Sequence, residues 1–289
     1  YEKWRSDYYD SNAIKGDNDE NLIGGKIALE LSTGRNNLIY ASLTRGYKAG
    51  GFNSEEDLPN ESLRKFDTEY QWNYELGSKF TSLNNTLLQR INIFYTDRKN
   101  LQLKSSSSKN NDNGGVSWID YTDNAGKGFS YGIEWEATWQ TTSTLEIIVS
   151  VGLLKTDITD HQQDDPEGFN LENRAAAHAP GYNFATAVNY SFNQRLSLHV
   201  ELEGKDDYYY SDSHNFKSDN YTLLNARLNY QGADLQISLY GKNLTDEDYG
   251  VRGFSGWDAD PRNGAGFDET TFEQLAAPRV IGVSVKKMF

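Results

Sequence analysis

Residues 182–203 read YNFATAVNYSFNQRLSLHVELE, two alternating runs joined by a short polar break. Tyr182, Phe184, Thr186, Val188, Tyr190 and Phe192 share one face. After the break FNQR at 192–195, Leu196, Leu198, Val200 and Leu202 continue against Ser197, His199, Glu201 and Glu203. A period of two marks a strand with one apolar and one polar face. The pattern recurs on both sides of this hairpin. Ile23, Ile27, Leu29 and Leu31 alternate with Lys26, Ala28 and Glu30, and Ile133, Trp135, Ala137 and Trp139 with Glu134, Glu136 and Thr138. Further runs are Leu145 to Leu153, Leu235–Ile237–Leu239 against Gln236, Ser238, Tyr240 and Lys242, and a last one with Ile281, Val283 and Val285. Helical spacing fits none of them better.

The connections alternate as regularly as the side chains. Short polar turns fall near 33–37, 81–85, 140–143, 192–195 and 230–233. Long polar segments lie near 11–20, 50–66, 105–120, 158–175, 210–218 and 250–275. About 24 residues per strand gives roughly a dozen strands. In a sandwich the apolar faces of two sheets meet, and connections at both ends are of mixed length. In an outer-membrane barrel one end has tight turns, the other long loops, and the apolar face meets lipid. The polar face here carries Glu, Lys, Gln, Asn and Ser. A wet lumen accepts these groups, whereas a dry core charges about 1–3 kcal/mol for each one left unpaired. The reading is therefore all-β: a partial, antiparallel up-and-down transmembrane barrel. Its lumen side holds Lys26, Glu30, Glu134, Glu136, His199, Glu201, Gln236 and Lys242. Tyr190, Phe192 and Trp139 near the short turns, and Tyr47 and Tyr95 toward the other end, suit the two lipid–water interfaces.

Composition agrees. The 289 residues carry a net charge of −14, with 19 Tyr, 13 Phe and 6 Trp but 5 Pro and no Cys. Mean hydropathy is −0.75 and the sequence pI about 4.7. No apolar run reaches the ~18–20 residues of a spanning helix. The absence of Cys removes disulfides, thiolate metal sites and cysteine nucleophiles. The acidity disfavours nucleic acid as a partner. The chain opens on Tyr1 in mid-pattern, with neither Met nor a basic-then-apolar leader. A longer protein with a missing beginning is expected, and no signal peptide within 1–289.

No catalytic centre is expected. The acidic pairs Glu55/Glu56, Asp164/Asp165 and Asp206/Asp207 lie in polar segments or at strand ends, far from the partly dry pocket a glycosidase needs. His161, His178, His199 and His214 lack metal-ligand spacing. Residues 17–20 (DNDE) lack the Gly and distal Glu of a calcium loop. Gly46, Gly50 and Gly51 precede no helix, so they suit a bend or bulge rather than a phosphate loop. Ligand contacts are expected on the long-loop side, most of all in 250–275, through Arg252, Phe254, Trp257, Asp258 and Arg262, with Asp260 and Phe267 nearby. Aromatic faces interspersed with Arg and Asp suit an aryl chelate or a sugar.

Five stretches carry a family resemblance: LIYASLTRGYKAGGFN (38–53), FDTEYQWNYELGSKF (66–80), NAGKGFSYGIEWEATW (124–139), GKNLTDEDY (241–249) and APRVIGVSVKKMF (277–289). In this order they resemble the barrel strands of TonB-dependent outer-membrane receptors, including the "NLTDxxY" segment and the closing strand ending in Phe289. Lys287 stands where that family usually has an aromatic or apolar residue, and its stem can snorkel. The resemblance implies that 1–289 is the C-terminal part, about 12 strands, of a likely 22-stranded barrel, with the N-terminal plug outside this chain. It implies uptake of a scarce nutrient, foremost a ferric siderophore or similar iron complex, otherwise cobalamin or an oligosaccharide. It further implies outer-membrane lipid around the wall, TonB engaged through the missing N-terminal part, no resident cofactor and no covalent chemistry. The rival readings are a passive porin-like barrel and a soluble glycan-binding or glycan-cleaving β protein.

Overall fold

The computed structural model describes residues 1–9, 15–110, 116–124, 126–161, 170–212, 214–255 and 271–287. In chain order the strands are β1 Glu2–Tyr9, β2 Lys15–Leu22, β3 Gly25–Gly34, β4 Asn37–Lys48, β5 Gly51–Phe52, β6 Lys65–Phe66, β7 Glu69–Ser82, β8 Leu87–Lys99, β9 Gln102–Asn110 and β10 Val116–Asn124. They continue with β11 Lys127–Gln140, β12 Leu145–Thr159, β13 Tyr182–Ser191, β14 Leu196–Lys205, β15 Tyr221–Gln231, β16 Leu235–Lys242, β17 Gly250–Ser255, β18 Thr271–Leu275 and β19 Val280–Lys287. A 3-10 turn covers Glu61–Arg64. Among the described residues no helix is long and apolar enough to cross a membrane.

Eleven strands form one antiparallel meander in the order β19-β16-β15-β14-β13-β12-β11-β8-β7-β4-β3. The sheet does not close; β3 and β19 are its edges. Five tight connections (β3–β4, β7–β8, β11–β12, β13–β14 and β15–β16) gather at one end, where Lys287 also lies opposite Leu235. The five long connections lie at the other end. Parts of the polar segments read from the sequence are strand as well, folded as two-stranded ribbons β5–β6, β9–β10 and β17–β18, with β1–β2 preceding β3. A run such as SSSSKN in β9 gives no hydrophobic alternation, so its pairing with β10 had no sequence signal. Ile23 falls between β2 and β3 rather than inside one strand with Leu29, because Gly24 and Gly25 separate them.

Register shows why the alternation persists over eleven strands. One row runs Leu29↔Ala41↔Leu76↔Ile93↔Ile133↔Leu153↔Tyr182. At the other flank Tyr190↔Leu198↔Leu228↔Leu239↔Val283 continues the same apolar face. A slip of one residue would turn a whole strand's apolar set to the opposite side. These side chains are not interlocked inside: at the edges Ile27 is 72% and Ile281 68% exposed, and mid-sheet Ile93 remains 48% exposed. An uncovered apolar face of this extent marks a lipid-contacting wall rather than a water-facing one. That geometry excludes the soluble-globule reading.

The opposite face is polar and hydrogen-bonded side chain to side chain. Arg90 pairs with Glu136 (3.0 Å), Asn189 donates to Glu146 (2.8 Å), and Asn225 donates to Glu201 (3.2 Å) and Glu203 (3.0 Å). Glu134, Glu136, His199 and Glu201 therefore stand on the predicted lumen side. On this face the Tyr40 ring lies over Gly77 on the neighbouring strand, and its hydroxyl donates to Glu75 (2.7 Å). Any Cβ at position 77 meets that ring. Gly77→Val should therefore displace Tyr40 and cost about 1–3 kcal/mol. The check is the temperature at which folded protein converts to the slower-migrating unfolded band on a gel. An unchanged temperature would mean that the ring moves aside freely.

Among the described residues a buried apolar cluster is formed by Leu101, Leu103 and Leu171 from the long connections and Ile158 at the loop end of β12. Amide side chains tie the rest of that end together. Asn53, Gln102, Asn124 and Asn243 each bond backbone groups of other segments or turns.

Candidate functional site

At the long-connection end the ribbons surround a cavity of about 850 Å³. All five long connections contribute to its wall. Asn53 comes from the first, Lys104, Asp120 and Tyr121 from the β9–β10 ribbon, and His178 from the third. Tyr210 and His214 come from the fourth, and Arg252, Phe254 and Gln274 from the β17–β18 ribbon. This size is that of a small-molecule site.

Each side chain is placed by local structure. Arg252 and Phe254 are two apart on β17 and so share a face; Phe254 stacks on Phe272 of β18 at 5.3 Å. Tyr210 packs edge-on to Tyr208 (5.7 Å) and donates to Glu273 (2.8 Å), joining the fourth connection to the fifth. Burial and that carboxylate hold the Tyr210 phenol well above its ordinary range, so it stays protonated and donating. Arg174 is buried, with its guanidinium 3.8 Å over the Tyr209 ring and a hydrogen bond to the Ser211 carbonyl. It fastens the third connection to the fourth. His178 lies against Tyr208 at 5.4 Å. His214 is 8% exposed, and burial first, then the nearby Arg174 charge, pushes its pKa down.

Of the residues expected in the site, Arg252 and Phe254 do line the cavity. Trp257, Asp258, Asp260, Arg262 and Phe267 lie outside the described residues. Lys104, Asp120, Tyr121 and Tyr210 are additions that sequence reasoning did not single out, and His178 and His214, read from the sequence only as scattered residues without metal-ligand spacing, line the same cavity. The histidines are 36 positions apart, so spacing could not join them; the aromatic run Tyr208–Tyr209–Tyr210 within a polar segment was the available signal. No cluster of three or more His, Cys, Asp or Glu among the described residues could hold a metal. The acidic pair Asp206/Asp207 is engaged locally, Asp207 with Lys217 at 2.7 Å.

An antiparallel wall that is apolar outside and polar inside, with tight turns at one end and a ribbon-built cavity at the other, defines an outer-membrane-type barrel segment. The TonB dependent receptor-like, beta-barrel family matches residues 1–244, and the chain belongs to that family. Solved structures agree in fold. The ferric yersiniabactin uptake receptor FyuA from Yersinia pestis is 21% identical at a TM-score of 0.72, over 95% of this chain and 38% of that one. The siderophore receptor PiuA from Acinetobacter baumannii is 16% identical at 0.72, over 99% and 39%. The copper transporter OprC is 14% identical at 0.70, over 96% and 41%. The chain thus spans about two-fifths of the solved receptors it matches. Receptors of this family belong in the Gram-negative outer membrane and bind small-molecule ligands from outside the cell; they are in general not enzymes.

Proposed function

We propose that this chain is the C-terminal part of the barrel of an outer-membrane receptor for TonB-dependent uptake of an iron complex, most simply a ferric siderophore. Ligand binds among the long connections and then passes the lumen, gated by a plug supplied by the upstream part of the protein, which also engages TonB. The observation that carries this reading is the cavity shared by all five long connections, whose described lining residues include Lys104 and Arg252 beside one carboxylate, Asp120. The chain as a whole is at −14, so this local excess of cations favours an anionic chelate against the general field. Phe254 and Phe272 add a stacking face. FyuA, PiuA and the pyoverdine-bound FpvA from P. aeruginosa, by their descriptions, handle iron chelates.

The test is a titration of the full-length receptor in detergent with ferric catecholate, hydroxamate and citrate complexes, read by quenching of intrinsic fluorescence. Saturable binding of at least one is expected. Arg252→Ala should weaken it about tenfold, the worth of one charge-assisted hydrogen bond. Lack of saturation by every chelate, together with passive leak through the receptor in vesicles, would favour the porin-like reading instead.

A further inference from the structure

On the membrane-facing side of the wall, toward the long-connection end, the outward rows of β7, β8, β11 and β12 change chemistry in a fixed order. The row Leu76↔Ile93↔Ile133↔Leu153 is wholly apolar. Two residues further out, one register line holds Tyr74↔Tyr95↔Tyr131↔Lys155. Two further again, Trp72↔Asp97↔Phe129↔Asp157 sets carboxylates beside aromatic rings. The first two rows line one apolar groove of about 800 Å³. Its tyrosines are exposed, Tyr74 lies 6.4 Å from Tyr95, and Tyr95, Phe129 and Tyr131 stack in succession at 6.3 and 6.1 Å. Among the described residues the hydroxyls of Tyr74, Tyr95 and Tyr131 have no hydrogen-bond partner, and Lys155 has no carboxylate in salt-bridge contact. The other outward cations here are placed differently. Arg45 lies over Tyr70 (4.6 Å) and bonds the Ile23 carbonyl, Lys127 is held by Asp160 at 2.7 Å, and Lys99 stands at the strand end opposite Tyr70. Along β13–β15 the same outward face ends in Phe184↔Gly204↔Thr222, with no charge.

We propose that this groove seats a phosphorylated glycolipid, at one place on the wall and apart from the cavity among the long connections. An acyl chain lies over Ile93 and Ile133 between the tyrosine rings. The lipid phosphate takes Lys155 and the hydroxyls of Tyr95 and Tyr131, because a lysine stem can lie along apolar surface while its ammonium reaches the headgroup level. Phenol hydroxyls donate well to a phosphate oxygen. The sugar then meets the next row, where Asp97 is flanked in register by Trp72 and Phe129. Ring faces pack on the C–H faces of a sugar, and a carboxylate accepts its hydroxyls. This third row decides the class of lipid. A headgroup ending in the phosphate would meet Asp97 and Asp157 as like charges, whereas one that continues into hydroxyls offers them donors.

The test titrates the full-length receptor in detergent with four lipids and counts bound lipid by native mass spectrometry. The lipids are lipid A (a phosphorylated, acylated glucosamine disaccharide), phosphatidylglycerol, phosphatidylethanolamine and a glucosyl diacylglycerol without phosphate. Lipid A should bind at least about tenfold more tightly than each of the others. Lys155→Met, which keeps the stem and loses the charge, should weaken lipid A about tenfold and leave the glucosyl lipid unchanged, while Lys155→Arg retains binding within about threefold. Asp97→Ala should weaken lipid A and the glucosyl lipid about fivefold and leave phosphatidylglycerol unchanged. Lys127→Met, which removes an outward cation already held by Asp160, should stay within about twofold of the parent. All these side chains point away from the lumen, and heat-induced band conversion verifies that each variant folds. Equal retention of lipid A and either phospholipid would overturn the proposal and leave a wall coated by lipid without selection. Loss of lipid A binding in Lys127→Met but not in Lys155→Met would overturn it by placing the phosphate elsewhere. Either result leaves the proposed function untouched, since that is read from chelate binding.

Discussion

Glu69→Ala should lower the unfolding midpoint of the receptor and open the junction between its wall and its loops. Glu69 begins β7, is 5% exposed, and has both carboxylate oxygens engaged. One accepts from Arg98 Nε at 2.7 Å and the other from the Gln102 backbone N–H at 3.0 Å. Gln102 in turn donates to the carbonyls of Lys48, Ala49 and Asp67. One carboxylate therefore joins the ends of β4, β7 and β8 where the strands leave the membrane. Truncation leaves a guanidinium and an enclosed N–H without their acceptor. Arg98 is only partly covered, so water recovers some of the loss, and about 2–4 kcal/mol is expected. Glu69→Gln, which keeps acceptor capacity but loses the charge, should cost about half as much. Urea unfolding in lipid vesicles measures both; a change below about 0.5 kcal/mol for the alanine variant would show that the junction does not depend on this carboxylate.

Asn53→Ala should act on the site rather than on the wall. The Asn53 amide treats Thr122 as a strand would: Nδ2 donates to its carbonyl at 2.8 Å, and Oδ1 accepts from its N–H at 2.8 Å. A second Nδ2 hydrogen bond reaches the Leu63 carbonyl at 2.6 Å. The side chain thus holds the first long connection against the β9–β10 ribbon, on the rim of the cavity. Alanine frees three backbone groups, worth roughly 2–4 kcal/mol of local order. Amide exchange at Thr122 should accelerate by at least about thirtyfold while the amides of β11 and β12 hold, and chelate affinity should fall about tenfold or more. Unchanged exchange at Thr122 would show that the ribbon is fixed by other contacts.

The wall was legible because every lipid-facing strand repeats one rule, and errors of register would show at once as polar groups in hydrocarbon. Leu198, Ile237 and Val283 lie where alternation puts them, on the same face as Ile133. The long-connection end was legible only in part. Arg252 and Phe254 stood out because aromatic and cationic residues coincide there. Asn53 closes the LIYASLTRGYKAGGFN motif, yet its partner Thr122 is 69 positions away. Side-chain amides that stand in for backbone carry no periodicity, and contacts between separate connections leave no mark in either one. For the same reason His178 and His214 look scattered in sequence and stand on one cavity in space.

The grouping of Leu101, Leu103 and Leu171 over Ile158, at the loop end of β12, divides the molecule between two solvents. The wall owes its order to hydrocarbon, while the long-connection end carries its own small dry interior and its own staples, Arg174 and Asn53 among them. Specificity can then drift by exchange of whole ribbons, as cassettes set on a common cylinder, without disturbing the part that must survive insertion.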